Sequence, residues 1–262
     1  MRGIGIMGYG VVGSALATVL STEGYDVGVY DPFKDRRDLS VLAGKEIVFV
    51  CVWTPMKDGG LDASYVNGAV SELRPLQVPL IAVRSTLPPG VMTTLENTYP
   101  YQCFAFAPEF LVEADPVGST RRADRIVIGS NRRGPSVDRL AEVLRAVSPG
   151  SPVVRTSLEE AVMVKLASNA LLASKVAVAN ELYDICEGYG VSWDNVRGAV
   201  GLDRRISPDH LRVTEERGYG GSCFPKDIQG LIGAARDVDQ QAPILTAIQH
   251  RNTEIRTEPE VV

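Results

Sequence analysis

The segment Gly8-Tyr9-Gly10-Val11-Val12-Gly13 constrains the fold most, because it lies between a short apolar run and a helical pattern. In such a turn the first glycine turns the chain, the second lets a pyrophosphate approach, and the third lets helix pack on strand. A helical pattern over Ser14–Leu20 follows, and the N-terminus of such a helix directs amide donors and the positive end of its dipole at the phosphates. Val11 and Val12 are expected to bind the cofactor together with the glycines. The sequence therefore predicts a dinucleotide-binding turn; the alternative is a fold of this type that has lost its cofactor.

A carboxylate follows the second predicted strand. Asp31 lies 18 residues after Gly13, where a carboxylate can accept hydrogen bonds from the adenosine ribose hydroxyls. A carboxylate also repels the 2′-phosphate of NADP, although Arg36 and Arg37 lie nearby. We therefore expect NAD as the cofactor.

Short apolar runs rich in Val and Ile alternate with helical patterns over residues 1–157. They lack strict alternation of apolar and polar residues, as strands buried on both faces do. The predicted strands are Gly3–Met7, Val27–Tyr30, Ile47–Val52, Leu80–Arg84, Phe104–Ala107, Arg125–Ile128 and Val153–Arg155. This order predicts an α/β fold whose N-terminal domain, residues 1–157, is a Rossmann-like, doubly wound, mostly parallel sheet.

A long helix is predicted to begin the second domain, residues 158–262. Ser157 and Glu160 have the spacing of a capping box, and the helical pattern then runs to Glu187, before Gly188. A helix of about 30 residues is about 45 Å long, which suits the spine of an all-α central domain.

The same helix predicts self-association. Its run Ala170–Ala179 is apolar around most of the circumference, which indicates burial on more than one side. We therefore expect a homodimer formed through the 158–187 helix.

Composition excludes several classes of function. A net charge of −5 without a basic stripe argues against nucleic-acid binding. No apolar run reaches the roughly 18 residues of a membrane span, and the N-terminus lacks a signal-peptide pattern. With two histidines and four cysteines without paired spacing, we expect no metal site and reduced thiols in a cytoplasmic protein.

A glycine pair precedes a cysteine in the segment Gly220-Gly221-Ser222-Cys223, which Lys226 and Asp227 follow. Glycine lets a ligand approach the backbone closely, since it has no Cβ. A neighbouring cation favours the thiolate, the form that attacks a carbonyl carbon. The pattern predicts a nucleophile; the alternative is a glycine turn beside a buried cysteine.

Lys165 and Asn169 lie four residues apart near the start of the long helix. This spacing places both on one helix face, so the ammonium and the amide can converge on one oxygen atom. The alternative is a solvated helix face without a role.

The octapeptide Gly220–Asp227 resembles the catalytic loop of the UDP-glucose/GDP-mannose dehydrogenase family, whose members oxidise a sugar-nucleotide alcohol to a carboxylate with two NAD. Other segments resemble this family in the same order along the chain. They are Val52–Pro55, Ser85–Gly90, Ala107–Glu113, Glu160–Asn169, Leu202–Ile206, Arg217–Gly221, Ala242–Leu245 and Arg251–Asn252. The chain is therefore identified as a member of this family.

The resemblance implies a four-electron oxidation of a sugar primary alcohol to a uronic acid. Cys223 would attack the aldehyde to form a thiohemiacetal, and a second hydride transfer would leave a thioester that water hydrolyses. Lys165 and Asn169 would stabilise the oxyanions. Asp227 and Thr86 would position water or relay protons.

The resemblance also assigns the remaining site residues. Glu109 is the expected general base for hydrolysis, and Arg205 would help to hold substrate across a dimer interface. Thr54, Ser85 and Thr86 would line the cofactor cleft. The expected substrate-binding residues are Glu113, Lys165, Asn169, Arg205, Tyr219, Gly220, Gly221 and Lys226.

The chain departs from the family pattern in four places. Trp53 replaces the family's first proline, and Ala107 replaces its usual asparagine. Only 14 residues separate Asp31 from Glu46, where the family has a longer segment. The chain also stops where a UDP-binding domain is expected, which predicts a short form with weak discrimination between nucleotide bases.

Two other functions remain open. A two-electron 3-hydroxyacid dehydrogenase would use Lys165 and Asn169 without a nucleophilic cysteine. A non-catalytic NAD-binding module left by domain loss would need neither, and intact Cys223, Lys165, Asn169 and Asp227 argue against it.

Overall fold

The computed structural model describes residues 3–256. Contacts divide the chain into two compact units. The first unit runs to Pro55 and continues over Asp62–Lys165, and the second unit comprises Met56–Leu61 and the chain from Leu166 onward. The division falls inside the long helix, whereas the sequence placed the domain boundary at its start.

The chain forms strands and helices in a largely alternating order. The strands are β1 (Gly3–Met7), β2 (Asp26–Tyr30), β3 (Ile47–Val50), β4 (Met56–Lys57), β5 (Gly60–Leu61), β6 (Leu80–Val83), β7 (Phe104–Phe106), β8 (Ile126–Gly129) and β9 (Val153–Thr156). The α-helices are α1 (Val11–Thr22), α2 (Ser64–Leu73), α3 (Val91–Thr98), α4 (Pro116–Arg121), α5 (Pro135–Val147), α6 (Leu158–Gly188), α7 (Trp193–Val200), α8 (Phe224–Arg236) and α9 (Pro243–Ile255). Short 3₁₀ turns occupy Leu39–Leu42 and Arg74–Leu76.

The first unit is built on a seven-stranded sheet in the order β2-β1-β3-β6-β7-β8-β9. Neighbouring strands are parallel except β7 and β8, which are antiparallel. All seven predicted strands are present, and the predicted Rossmann-like fold is confirmed. Met7 pairs with both Tyr30 and Val50, so β1, β2 and β3 end at one level. Their following residues therefore lie together at the carboxyl edge of the sheet.

Burial explains why these strands lack alternation. Every residue of β1, β3, β6 and β7 is buried. Helices α1 and α5 pack with these strands in one apolar cluster, while α2 contacts β3 and α3 contacts β7. Phe49, Phe104 and Phe106 are fully buried. A strand that is covered on both faces has no solvent side on which polar residues are favoured.

Helix α6 begins with the predicted capping box. The Ser157 amide donates to Glu160 Oε2 at 2.8 Å, and the Glu160 amide donates to Ser157 Oγ at 3.3 Å. The helix continues for 31 residues to Gly188. It is the one described helix long and apolar enough to cross a membrane, but 50% of its most apolar stretch is buried inside the protein, as in the core helix of a globular unit.

The second unit is helical apart from the β4–β5 hairpin. Ala173, Ile228 and Ile232 form its core between α6 and α8. Gly230 of α8 lies against Leu61 of β5, where a Cβ would meet the leucine side chain at 2.6 Å. The small residue in α8 thus lets the hairpin pack closely.

Candidate functional site

The glycine turn between β1 and α1 is shaped by contacts at two of its glycines. Gly8 has a φ of +95°, and a Cβ there would lie 2.5 Å from the Cys51 carbonyl oxygen. A Cβ at Gly13 would overlap the Gly8 carbonyl oxygen, so only glycine lets α1 begin this close to the strand. A Cβ at Gly10 would meet nothing within 4 Å. The turn is therefore closely packed on the protein side and open above Gly10.

Asp31 connects this turn to the loop that follows β2. Its Oδ2 accepts the Tyr9 amide at 2.7 Å, and its Oδ1 accepts the Phe33 amide at 3.0 Å. The residue is 7% exposed, so the carboxylate has a structural role in addition to the expected ribose contact. Each oxygen keeps a second lone pair with which it can accept a hydroxyl.

Two cations lie on the same loop. Lys34 Nζ donates to the Tyr9 carbonyl oxygen at 2.5 Å, and the Arg36 guanidinium lies 4.3 Å from the centre of the Tyr9 ring. Both therefore place positive charge beside the turn predicted to bind phosphates.

The predicted cofactor residues after β3 and β6 are held together. Ser85 Oγ donates to the Val52 carbonyl oxygen at 2.7 Å, so this hydroxyl joins the ends of the two strands. Thr54 is buried, whereas Thr86 is partly exposed.

Glu109 and Lys165 form a buried ion pair within the first unit. Lys165 Nζ donates to Glu109 Oε1 at 2.9 Å and to its carbonyl oxygen at 2.8 Å. Burial raises the pKa of the Glu109 carboxyl, but the Lys165 ammonium and the Leu111 amide outweigh it and hold the pKa below its ordinary value. The Glu109 carboxyl is therefore ionised at neutral pH. Glu113, in contrast, is exposed.

Arg84 is a buried cation that sequence reasoning missed. It follows β6, is 8% exposed, and its Nε has no hydrogen-bond partner among residues 3–256. Its charge also contributes to the lowered pKa of Glu109. The available signal was a charged residue at the end of an apolar run. The sequence analysis had counted Arg84 as the last residue of that strand, whereas β6 ends at Val83.

Asp227 binds two predicted site residues within the second unit. Its Oδ2 accepts Asn169 Nδ2 at 2.6 Å, and its Oδ1 accepts Lys226 Nζ at 2.6 Å. The carboxylate is 1% exposed. Asn169 and Lys165 lie one turn apart on α6, as predicted; Asn169 donates to Asp227 and Lys165 donates to Glu109.

Cys223 is the N-cap residue of α8. It is half-buried, and its Sγ lies 3.7 Å from Ser222 Oγ. The first amides of the helix and the positive end of its dipole favour a thiolate at this position. Lys226, the cation expected to do so from the sequence, is bound to Asp227.

The loop before Cys223 is clamped by two asparagines that sequence reasoning missed. Asn252 of α9 accepts the Tyr219 amide at 2.6 Å and donates to the Tyr219 carbonyl oxygen at 2.9 Å. Asn180 of α6 accepts from Arg217 Nε at 2.9 Å and from the Gly218 amide at 3.1 Å. Both asparagines are 1% exposed. Their signal was weak: asparagine inside a helix, where its propensity is low.

Two of the expected substrate-binding residues face the protein itself, and a third is exposed and paired with a neighbouring carboxylate. The Tyr219 ring is buried in the core of the second unit. The Arg256 guanidinium occupies the space where a Cβ at Gly220 would lie. Arg205 pairs with Asp203, Nη2 to Oδ2 at 2.6 Å, and its side chain is 89% exposed. Gly221 has a φ of +76° and is exposed.

The structure gives no indication of a metal centre among residues 3–256. No group of three His, Cys, Asp or Glu side chains lies close enough in this range to hold an ion.

Two domain models of one family match the chain. The UDP-glucose/GDP-mannose dehydrogenase family's NAD binding domain matches residues 34–147, and its central domain matches residues 159–254. A UDP-glucose 6-dehydrogenase from Rickettsia bellii is 36% identical over 222 residues, which is 81% of this chain and 50% of that protein. One from Rhizobium meliloti is 36% identical over 76% of this chain and 48% of that protein. The chain thus spans about half the length of these curated relatives.

Solved structures are similar over nearly the whole chain. A UDP-glucose dehydrogenase from Pyrobaculum islandicum has a TM-score of 0.84 and 27% identity, covering 97% of this chain and 68% of that one. A GDP-mannose dehydrogenase from Pseudomonas aeruginosa, solved as a ternary complex, has a TM-score of 0.68 and 26% identity, covering 97% and 69%.

Proposed function

We propose that this chain, which belongs to the UDP-glucose/GDP-mannose dehydrogenase family, oxidises the primary alcohol of a sugar nucleotide to a carboxylate with NAD. Its sheet unit carries the family's NAD-binding domain and its helical unit the central domain. The observation that supports the proposal best is Cys223 at the N-terminus of α8, half-buried and on a loop that Asn252 holds.

Two hydride transfers account for the oxidation. NAD, when bound, accepts one hydride in each transfer. The first converts the alcohol to an aldehyde and releases a proton. The Cys223 thiolate then adds to the aldehyde carbon and forms a thiohemiacetal. Loss of the second hydride leaves a thioester, and water hydrolyses it to the carboxylate and the free thiol.

The buried charges have separate roles in this proposal. Lys165 and Asn169 stabilise the oxyanions that form at the reacting carbon, and such a donor is typically worth about 3 kcal/mol. Glu109 is ionised and can accept the proton of the hydrolytic water, although its lowered pKa makes it a weaker base. Asp227 orients Asn169.

Cys223 separates this function from a two-electron 3-hydroxyacid dehydrogenase. Lys165 and Asn169 would serve either reaction, but only an aldehyde oxidation needs a nucleophile. A non-catalytic module would require neither the buried Lys165–Glu109 pair nor the clamped cysteine loop.

The test is the yield of NADH from UDP-glucose and from GDP-mannose, counted against the carboxylate formed. The intact protein is expected to produce two NADH for each carboxylate. Cys223→Ser is expected to stall after the first transfer, with an aldehyde or covalent species visible by mass spectrometry. Cys186→Ser is the matched control, because Cys186 is also partly buried in the second unit. Full two-NADH turnover by Cys223→Ala would refute the thioester.

We also propose that the protein forms a homodimer through α6. Leu171, Val178, Leu182 and Ile185 follow a helical spacing and are 72%, 54%, 41% and 49% exposed. An apolar stripe of this kind is favoured at an interface. Light scattering at micromolar concentration is expected to give the mass of a dimer; a monomer mass would contradict this proposal.

A further inference from the structure

Three aromatic side chains form an exposed group in the first unit. Phe33, Trp53 and Tyr65 are 81%, 64% and 42% exposed. Tyr65 is their common neighbour, with its ring centroid 6.2 Å from that of Phe33 and 6.3 Å from that of Trp53. Large aromatic side chains that contact each other and still expose this much surface are typical of a binding site.

This aromatic group lies beside the dinucleotide turn. Phe33 is in the loop after β2, Trp53 follows β3, and these strands flank β1 on either side. The Phe33 amide donates to Asp31 Oδ1. Phe33 therefore lies directly beside the carboxylate that is expected to accept hydrogen bonds from the adenosine ribose. Tyr65 is in the first turn of α2.

We infer that the aromatic group stacks on the adenine ring of the bound dinucleotide. This inference rests on the proposed use of NAD. Adenine is attached to the ribose whose hydroxyls would donate hydrogen bonds to Asp31, so its planar ring must lie within a few ångströms of that carboxylate. Aromatic rings stack well on a nucleobase, which presents a π-face of similar size.

Size and charge favour a nucleotide over a protein partner. Three partly buried aromatic side chains, each of about 150–250 Å² at most, offer less surface than the roughly 800 Å² that a standard protein interface buries on each partner. Lys34 and Arg36 lie on the Tyr9 side of the same loop. An adjoining pair of cations suits the pyrophosphate that is joined to adenosine.

Trp53 makes the inference directly measurable. The chain has two tryptophans, and the other, Trp193, is 4% exposed with its Nε1 donating to the Leu211 carbonyl oxygen. Titration with ADP-ribose is expected to quench the Trp53 emission in the intact protein, whereas nicotinamide mononucleotide, which has no adenine, is expected to leave it unchanged.

Variants then separate stacking from other causes. Trp53→Ala and Phe33→Ala are each expected to raise the Kd for ADP-ribose and for NAD about tenfold by calorimetry, and Trp53→Phe is expected to restore most of the affinity. Tyr101→Ala is the matched control, because Tyr101 is an aromatic residue of the same unit that is 98% exposed. Turnover at saturating NAD is expected to stay within twofold in the Tyr101→Ala control.

Several results would overturn the inference. If both alanine variants bind ADP-ribose within twofold of the intact protein, adenine does not stack there. Unchanged affinity together with a loss of oligomeric mass would assign the aromatic group to a protein interface. If the intact protein binds neither ADP-ribose nor NAD, the proposed function fails as well. If the intact protein binds both and the alanine variants bind them equally well, only the stacking inference fails and the proposed function stands.

Discussion

Each unit contains a glycine-rich turn that leads into a helix: residues 8–13 lead into α1, and residues 218–223 lead into α8. The two turns differ in what lies over their glycines. In the first, the position above Gly10 is open, with no atom within 4 Å of a Cβ placed there. In the second, Asn252 Oδ1 lies where a Cβ at Gly218 would be, and the Arg256 guanidinium lies over Gly220. Gly10 thus leaves open space at the first turn, whereas Gly218 and Gly220 leave space for the protein's own side chains at the second.

A cysteine accompanies each turn and shows the same contrast. Cys51 packs under the first turn, where its carbonyl oxygen and Cβ lie against Gly8 and Gly13. Burial raises the pKa of this thiol to about 12. Cys223 follows the second turn and is half-buried at a helix N-terminus. The open turn thus has an inert thiol below it, and the filled turn presents an accessible one.

The largest effect is expected at the filled turn. Asn252→Ala removes the hydrogen bonds that the buried Tyr219 amide and carbonyl oxygen make with the Asn252 side chain, and losing the partner of a buried polar group costs about 1–3 kcal/mol. We expect the free energy of unfolding to fall by about 2–4 kcal/mol in urea titrations. Asn195→Ala, at an exposed asparagine of α7, is the control. A loss equal to that of the control would mean that the clamp does not stabilise the loop.

The open turn can be tested with two glycines that differ in their surroundings. Gly13→Ala forces a Cβ into the Gly8 carbonyl oxygen and is expected to cost about 1–3 kcal/mol of stability. Gly10→Ala meets no protein atom and is expected to cost less than about 1 kcal/mol while weakening NAD binding more than tenfold. Equal thermal shifts for the two variants, or unchanged NAD affinity in Gly10→Ala, would contradict the contrast.

Thiol reactivity gives a third, smaller difference. At about pH 7.5 a thiol with a pKa of about 12 is almost entirely protonated, and Cys51 is also shielded by the turn. Iodoacetamide is expected to label Cys223 at least tenfold faster than Cys51, as followed by peptide mass spectrometry. Comparable labelling of the two in the folded protein would show that Cys223 is not activated.

The smallest expected effect concerns pH and the Glu109–Lys165 pair. Since the pKa of Glu109 is lowered from 4.5 in the folded protein, its ionisation stabilises the fold above about that pH. This contribution is lost as pH falls through the lower, folded-state pKa. Glu109→Gln is therefore expected to lose melting temperature less steeply than the intact protein below pH 4.5. Parallel curves for the two proteins would mean that Lys165 does not lower this pKa.

Local patterns sufficed for the sheet and the long helix. The strands are apolar runs bounded by turn residues, and Ser157 with Glu160 marks the start of α6 within a single turn. Gly8 and Gly13 were also predictable, because Gly8 has a φ of +95° and a Cβ at Gly13 would overlap the Gly8 carbonyl oxygen of the same turn.

Contacts between distant residues were not predictable in this way. Asn252 and Tyr219 are 33 residues apart, and Lys165 and Glu109 are 56 apart. Each sequence segment is compatible with many partners until the tertiary fold brings one of them close. The sequence therefore indicated Lys165 and Glu109 as separate site residues, but it could not show that they neutralise each other. The β4–β5 hairpin was missed because its two-residue strands are too short for any periodicity.

The Asn252 clamp also has a consequence for the order in which the protein is made. A ribosome adds Tyr219 33 residues before Asn252 of α9, so the loop before Cys223 is synthesised ahead of the side chain that holds Tyr219. Until α9 has formed and docked, the loop lacks both of these hydrogen bonds, although Arg217 and Gly218 can already donate to Asn180 of α6. Ordering the backbone around Tyr219 costs conformational entropy that the two hydrogen bonds to Asn252 then offset. Nascent chains that stop short of α9 would thus carry Cys223 after a loop that lacks these two hydrogen bonds, and the loop would reach its final conformation late in biosynthesis.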